Sequence, residues 1–312
     1  MAFNQIPVEV YLNYILPHVV RKPMKLLDWI DINELCWDQL SINPNAIDLL
    51  IQYPTNIHWD KLSENPSNEA IELLKQYNYE IDWYKLSENP SDRAIDLLKQ
   101  NPTKIIWAYL SANINVRAID MITKQLNENP KKIDWFELST NPNAIELLNK
   151  NKNKIDWEGL ASNPSDGAMD LIAEDLKAYP LDTNWKMLSK NPNAIDILKQ
   201  NPDKIHWDML SRNPNAIDIL ITYGINPGKI DWVQLSGNPS AIELITEQLK
   251  INPEKINWFG LSRNPNAIDI LKKNPDKIVW YWLSVNPSIF EIDYKKWDKL
   301  MIKYYERNIS IG

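Results

Sequence analysis

The sequence predicts an all-α fold, an α-solenoid of 22–28-residue two-helix repeats. Three observations carry that expectation. Tryptophan returns at 37, 59, 83, 107, 135, 157, 185, 207, 232, 258 and 280. Each of these has Leu three residues on and Asn six residues on, with Ser directly after the Leu in ten of the eleven units. The Asn precedes Pro in ten units, the exception being Asn113-Ile114. A short motif recurring at such a period marks a repeat array. One unit cannot bury its own apolar face, and stacking makes the core.

Residues 1–25 lie outside the period and read as an N-terminal cap. Ile6-Pro7-Val8-Glu9-Val10 followed by Ile15-Leu16 forms an amphipathic stretch against the first repeat. The same stretch resembles the first helix of an F-box, which would make it a contact for a ubiquitin-ligase subunit.

Residues 26–285 form the helical repeat array. The first helix of each unit starts at the Trp, after a capping residue such as Asp82, Asp134, Asp156, Asp231 or Asn257. Asn-Pro ends it about six residues later, because a residue before proline is pushed out of the α region. So short an element is expected to be 3₁₀. The second helix opens after that proline, as in Asn193-Ala194-Ile195-Asp196, with the Asn as cap and the acid at N3. Its apolar residues Ala194, Ile195, Ile197 and Leu198 make one face. A second proline, such as Pro102, Pro202 or Pro275, stops most of these helices. The units starting at Trp107, Trp157 and Trp232 carry about one extra turn there, which keeps the face in phase.

Residues 286–312 read as a C-terminal cap. Ile289-Phe290 replaces the usual Ala-Ile, and Trp297, Leu300, Met301, Tyr304 and Tyr305 give a bulky helical face. Layers about 8–10 Å apart would extend ten units over about 80–100 Å as an elongated, right-handed superhelix. The Trp residues are expected in its core, with Ile two before and Leu three after.

The motif Trp-x-x-Leu-Ser-x-Asn-Pro-Asn-Ala-Ile-Asp-x-Leu, ending in Asn-Pro-Asp-Lys-Ile, resembles the Asn-Pro-Asn-Ala-Ile repeat proteins of giant, mimivirus-like double-stranded DNA viruses. Leu26-Leu27-Asp28-Trp29-Ile30 and Asn286-Pro287-Ser288-Ile289-Phe290-Glu291 fit that family too, so the resemblance covers roughly residues 26–294. The period and the Asn-Pro turn are also similar to the leucine-rich-repeat-variant family, which implies alternating 3₁₀ and α helices. Neither resemblance brings an active site. They imply a viral interaction protein in host cytoplasm, a virus factory or the virion, with a structural virion component as one alternative and an F-box-like adaptor as another.

Composition narrows the function. A net charge of −7 argues against a nucleic-acid or anionic-membrane binder. One Cys, at 36, allows no internal disulfide and no multi-Cys zinc site. Three His and seven Gly leave no His-based metal centre and no phosphate-cradling loop. The start of the chain lacks a basic segment before an apolar one, so the expected location is intracellular. No cofactor, no metal and no catalytic activity are expected. The acids after Ala-Ile, from Asp48 and Glu72 to Glu243 and Asp269, are read as helix-start residues rather than a calcium stripe.

One set of residues remains without a packing role. The two positions after each Trp point away from the Trp-Leu face. They vary between units and include Tyr84, Tyr109, Phe136, Met187, Met209, Phe259, Tyr281 and Trp282. A variable aromatic set on a constant scaffold suits recognition of a protein partner. Tyr84, Tyr109 and Phe136 are expected to form one patch, and Phe259, Tyr281 and Trp282 a second.

Overall fold

Asn163 shows how the units are joined. Its Nδ2 donates to the carbonyls of Ser139 and Asn141 in the preceding unit, both at 2.9 Å. Its Oδ1 accepts the N–H of Ser165 at 3.0 Å, which fixes the turn after Asn-Pro. The amide thus uses both donor hydrogens and its acceptor while fully buried. The same two-carbonyl rung recurs at Asn65, Asn89, Asn113 and Asn141. It continues at Asn191, Asn213, Asn238, Asn264 and Asn286.

This computed structural model describes residues 21–76, 81–178, 184–224 and 228–309. The Ile6–Leu16 stretch, cap or F-box-like, lies outside the described residues.

A second ladder runs parallel to the first. In each unit the Ser four after the Trp accepts the N–H of the residue before the next Trp. Ser139 takes Asp156 N and Ser189 takes His206 N, both at 3.0 Å. Ala161 leaves this ladder one rung short. The Leu three after each Trp is fully buried in all eleven units, from Leu40 to Leu283. Full burial of such a side chain is worth about 1.5–3 kcal/mol, so these leucines anchor the array.

The first helices are α rather than 3₁₀, for example Trp37–Ile42, Trp83–Glu88, Trp135–Thr140 and Trp258–Arg263. Side-chain caps support several of them, though Trp37–Ile42 and Trp107–Ala112 are α without one. Asp134, Asp156, Asp231 and Asn257 each accept the N–H three residues on, and Asp82 accepts two. The 3₁₀ turns fall elsewhere, after Asn-Pro (Pro142–Ala144) and at the trailing proline (Pro102–Lys104). Ser91 and Asn115 cap the second helix as expected, but in the 22-residue units the Asn after Asn-Pro does not. The ladder Asn caps the turn before that helix, as Asn141 accepts the Asn143 N–H, and Asn215 and Asn266 reach back to Pro192 and Pro239 carbonyls. The lengthened second helices span Val116–Glu128, Asp166–Ala178 and Ile242–Ile251.

The tryptophans are not core residues in the full sense. They pack half-buried against the core, and Trp157 is exposed. Each opens its helix at the edge of the layer, so only one side of the indole meets the leucines. The other side takes trailing-turn residues. Lys229 Nζ sits 4.5 Å from the Trp207 ring centroid, and Tyr53 stacks on Trp37 at 5.3 Å.

The array is not elongated. Its last unit packs on its first. Cys36 N donates to Ser284 Oγ at 2.9 Å, which is the Ser ladder carried across the ends. Asn43 Nδ2 donates to the Ser284 and Asn286 carbonyls at 3.0 Å, which is the Asn ladder carried across. The solenoid therefore closes into a ring of eleven units, its seam carrying both ladders.

The end segments clasp that seam. After Asn286-Pro287 the chain forms no second helix. Strand β2 (Phe290–Ile292) pairs antiparallel with β1 (Met24–Leu26), in the register Met24↔Ile292. This small sheet is the departure from an all-α fold. Asp48, buried in the first unit, receives Arg21 Nη2 at 2.6 Å, Met24 N at 2.9 Å and Lys296 Nζ at 2.9 Å. As far as they are described, to residue 309, the residues of the expected 286–312 cap thus do not cover a free array end. The closing helix, Tyr294–Ile309, leads away from the clasp with Met301 buried and Leu300 exposed.

Candidate functional site

The first helices form the inner layer of the ring. They touch their neighbours directly at most junctions, the seam between Trp37–Ile42 and Trp280–Ser284 included. The second helices do so chiefly across Asn68–Gln76, Asp92–Gln100 and Val116–Glu128. In a closed ring the more tightly spaced layer has the smaller circumference. Close approach is built in at Gly159, where an added Cβ would lie 2.6 Å from the Phe136 carbonyl oxygen.

Position along each first helix decides what reaches the inner surface. The residue after the Trp projects. Tyr84 is 56% exposed, Phe136 42%, Phe259 57% and Tyr281 42%. The second residue after the Trp turns toward the preceding unit and is mostly drawn into packing. Gln39 and Gly159 are buried there, and Met187, Met209 and Trp282 are half-buried. Tyr109 is the exception, at 41% exposed. Of the eight aromatic and methionine positions singled out from sequence, five are open and three serve partly as contacts between units.

Much of the expected clustering is present. Tyr84 and Tyr109 meet edge to face with ring centroids 5.7 Å apart. Phe136, one unit on, has no ring contact among the described residues. Phe259 and Tyr281 both meet Trp282, at 5.8 and 5.1 Å, and Arg263 lies over its indole at 5.6 Å. Closure extends this second patch over the seam, because Gln39 Nε2 donates to Tyr281 Oη at 2.8 Å.

The wall is also sorted by charge. Units one to six bring Asp38, Asp60, Glu64, Glu88, Glu137 and Glu158 to it, against Lys61 and Lys85, both paired with Glu64. Units seven to eleven bring Lys186, Lys190, Arg212 and Arg263 against Asp208. A pocket of about 270 Å³ opens in the acidic half, lined by Glu88, Ala108, Tyr109, Ala112, Asp134 and Glu137. Burial pushes the Glu137 carboxyl above the ordinary Glu range, and the Asp134 and Glu88 charges push it further the same way.

No family model, curated protein or solved structure matches this chain.

Sequence reasoning missed one slot of this surface and a groove among the second helices. The slot before Asn-Pro, holding Glu88, Lys190, Arg212 and Arg263, faces the wall one helical turn after the projecting residue. Its change of charge between units was the available signal. The other omission is a groove of about 740 Å³ among Thr123, Leu126, Trp135, Leu147 and Lys154, where a long second helix stands beside a short one. The unequal spacing of the tryptophans pointed there.

Cys36 is a free thiol whose pKa burial pushes up, with Asp38 adding to the shift. Among the described residues, no three His, Cys, Asp or Glu side chains converge as a metal site, and no helix is long and apolar enough to cross a membrane.

Proposed function

We propose that this ring is a non-enzymatic scaffold that holds a protein partner against its inner wall through the variable first-helix positions. The observation behind this reading is the contrast within each unit. Leu, Ser and Asn are committed to the core and the ladders, while Tyr84, Tyr109, Phe136, Phe259 and Tyr281 stand exposed on one shared surface. Aromatic side chains offer large contact area at low entropic cost, and interface hot spots favour them. A wall closed on itself also comes pre-organised, which lowers the ordering cost of binding. A viral origin, with residence in host cytoplasm, virus factory or virion, follows from the repeat resemblance and belongs to the same proposal.

The test compares wild type with two triple-alanine variants, Tyr84/Tyr109/Phe136 and Phe259/Tyr281/Trp282, in affinity capture from host cells. Circular dichroism checks that each variant folds. The expected result is loss of a specific partner from at least one folded variant. Retention of every partner by both would refute the wall as the binding surface.

A further inference from the structure

The partner chemistry that the acidic half of the wall fits follows from the surroundings of Tyr109, and it rests on the scaffold reading above. Tyr84, Tyr109 and Phe136 leave an aromatic surface open across three consecutive first helices. The Tyr84–Tyr109 pair meets edge to face, so the rings are held by each other rather than free to sweep solvent. Beside them opens the pocket whose acidic lining is Glu88, Asp134 and Glu137.

Among the described residues no Lys or Arg pairs with any of the three. The nearby cations are committed elsewhere, with Lys61 and Lys85 both on Glu64, at 3.3 and 3.4 Å. Asp134 spends one oxygen on capping, accepting the Glu137 N–H at 3.1 Å. Uncompensated negative charge at a concave aromatic wall is the complement of a cationic side chain. A guanidinium stacks on a tyrosine face and pairs with a carboxylate at its edge.

We infer that the wall between units three and five docks a peptide segment carrying arginine or lysine, with a cationic side chain in the pocket beside Tyr109. Burial first, and then the Asp134 and Glu88 charges, raise the proton affinity of Glu137, and an entering cation would relieve the second of these causes. The opposite, basic arc of the wall disfavours such a segment, so binding is confined to one half of the ring.

The experiment titrates the full chain with a hexa-arginine peptide and, separately, a hexa-glutamate peptide at low salt, read by calorimetry. Because the chain carries net charge −7, a charge-matched control is essential. Glu88→Gln with Glu137→Gln should weaken hexa-arginine binding about tenfold. Glu243→Gln with Asp269→Asn, on the outer helices, removes the same charge and should change it less than about twofold. Tyr109→Ala should also weaken it, by about fivefold. Thermal midpoints confirm folding.

Equal weakening by the two double variants would overturn the inference, as would undetectable hexa-arginine binding or equally tight hexa-glutamate binding. A chain whose triple-alanine variants lose a partner but which ignores hexa-arginine would keep the scaffold function and reject the cationic occupant.

Discussion

Asn43 donates its side-chain amide to the carbonyl of Asn286, 243 residues away, at 3.0 Å. Asn163 makes the same bond to Asn141, in the adjacent unit, at 2.9 Å. The seam is thus chemically equivalent to an interior junction. A solenoid whose terminal units meet this way has no end to protect from solvent, and its stiffness no longer falls off toward its termini.

Asn43→Ala and Asn163→Ala should therefore cost nearly the same. Each substitution strands the buried Ser carbonyl and the N–H two residues on, and leaves the Asn carbonyl with only its backbone N–H partner, a loss of about 2–4 kcal/mol. Urea unfolding measures both. An Asn43→Ala cost of only about 1 kcal/mol, that of its lost turn cap, beside a larger Asn163→Ala cost is what an open array would give.

Asp48 ties the clasp to pH. Its burial raises its pKa, but the Met24 N–H, Lys296 and Arg21 together outweigh burial and hold it below the ordinary Asp value. A depressed carboxylate contributes stability above its unfolded pKa of about 3.9, and that contribution is lost as pH falls through the folded value. Asp48→Asn should lower the thermal midpoint at neutral pH by an amount equivalent to about 1–2 kcal/mol, since Arg21 and Lys296 are partly solvated. The gap between variant and wild type should close below about pH 4. A gap independent of pH would mean that the charge of Asp48 is not what holds the clasp.

The Ser ladder offers a gain as well as a loss. Ala161→Ser supplies the missing acceptor for the N–H of Asn184 and should stabilise by about 0.5–1 kcal/mol. Ser236→Ala removes the partner of Asn257 N, bonded at 2.9 Å, and should destabilise by about 1–3 kcal/mol. Chemical denaturation of both variants checks the signs.

The units were legible in the sequence because each element is set locally. Trp follows a cap, Asn-Pro ends the first helix, and a trailing proline ends the second. The inward Leu and the projecting Tyr84 and Phe136 follow from the helical period. Closure was harder to see, because a repeat sequence specifies each junction and not the small rotation between units that accumulates around eleven of them. One clue was present. Ser41, Asn43, Ser284 and Asn286 keep the full motif at both ends, where an open array would carry polar capping repeats. The half-burial of the tryptophans was hidden for a related reason. Period shows which face a residue shares, but the end of a short helix lies at the layer's edge. The acidic pocket beside Tyr109 combines side chains from units three, four and five, and no single repeat displays it.

Ring closure is tested most directly by one distance comparison. Glu34 and Lys277 occupy the same slot, three before the Trp, in units that meet only across the seam, and Lys255 and Lys277 occupy it in consecutive units. Spin labels on cysteines at each pair, in a Cys36→Ala background, allow dipolar electron resonance to compare them. Closure requires the 34–277 distance to match the 255–277 distance, with backbones about 10 Å apart plus the reach of the labels. A 34–277 distance on the order of 80–100 Å, the length of an open array, would contradict the ring.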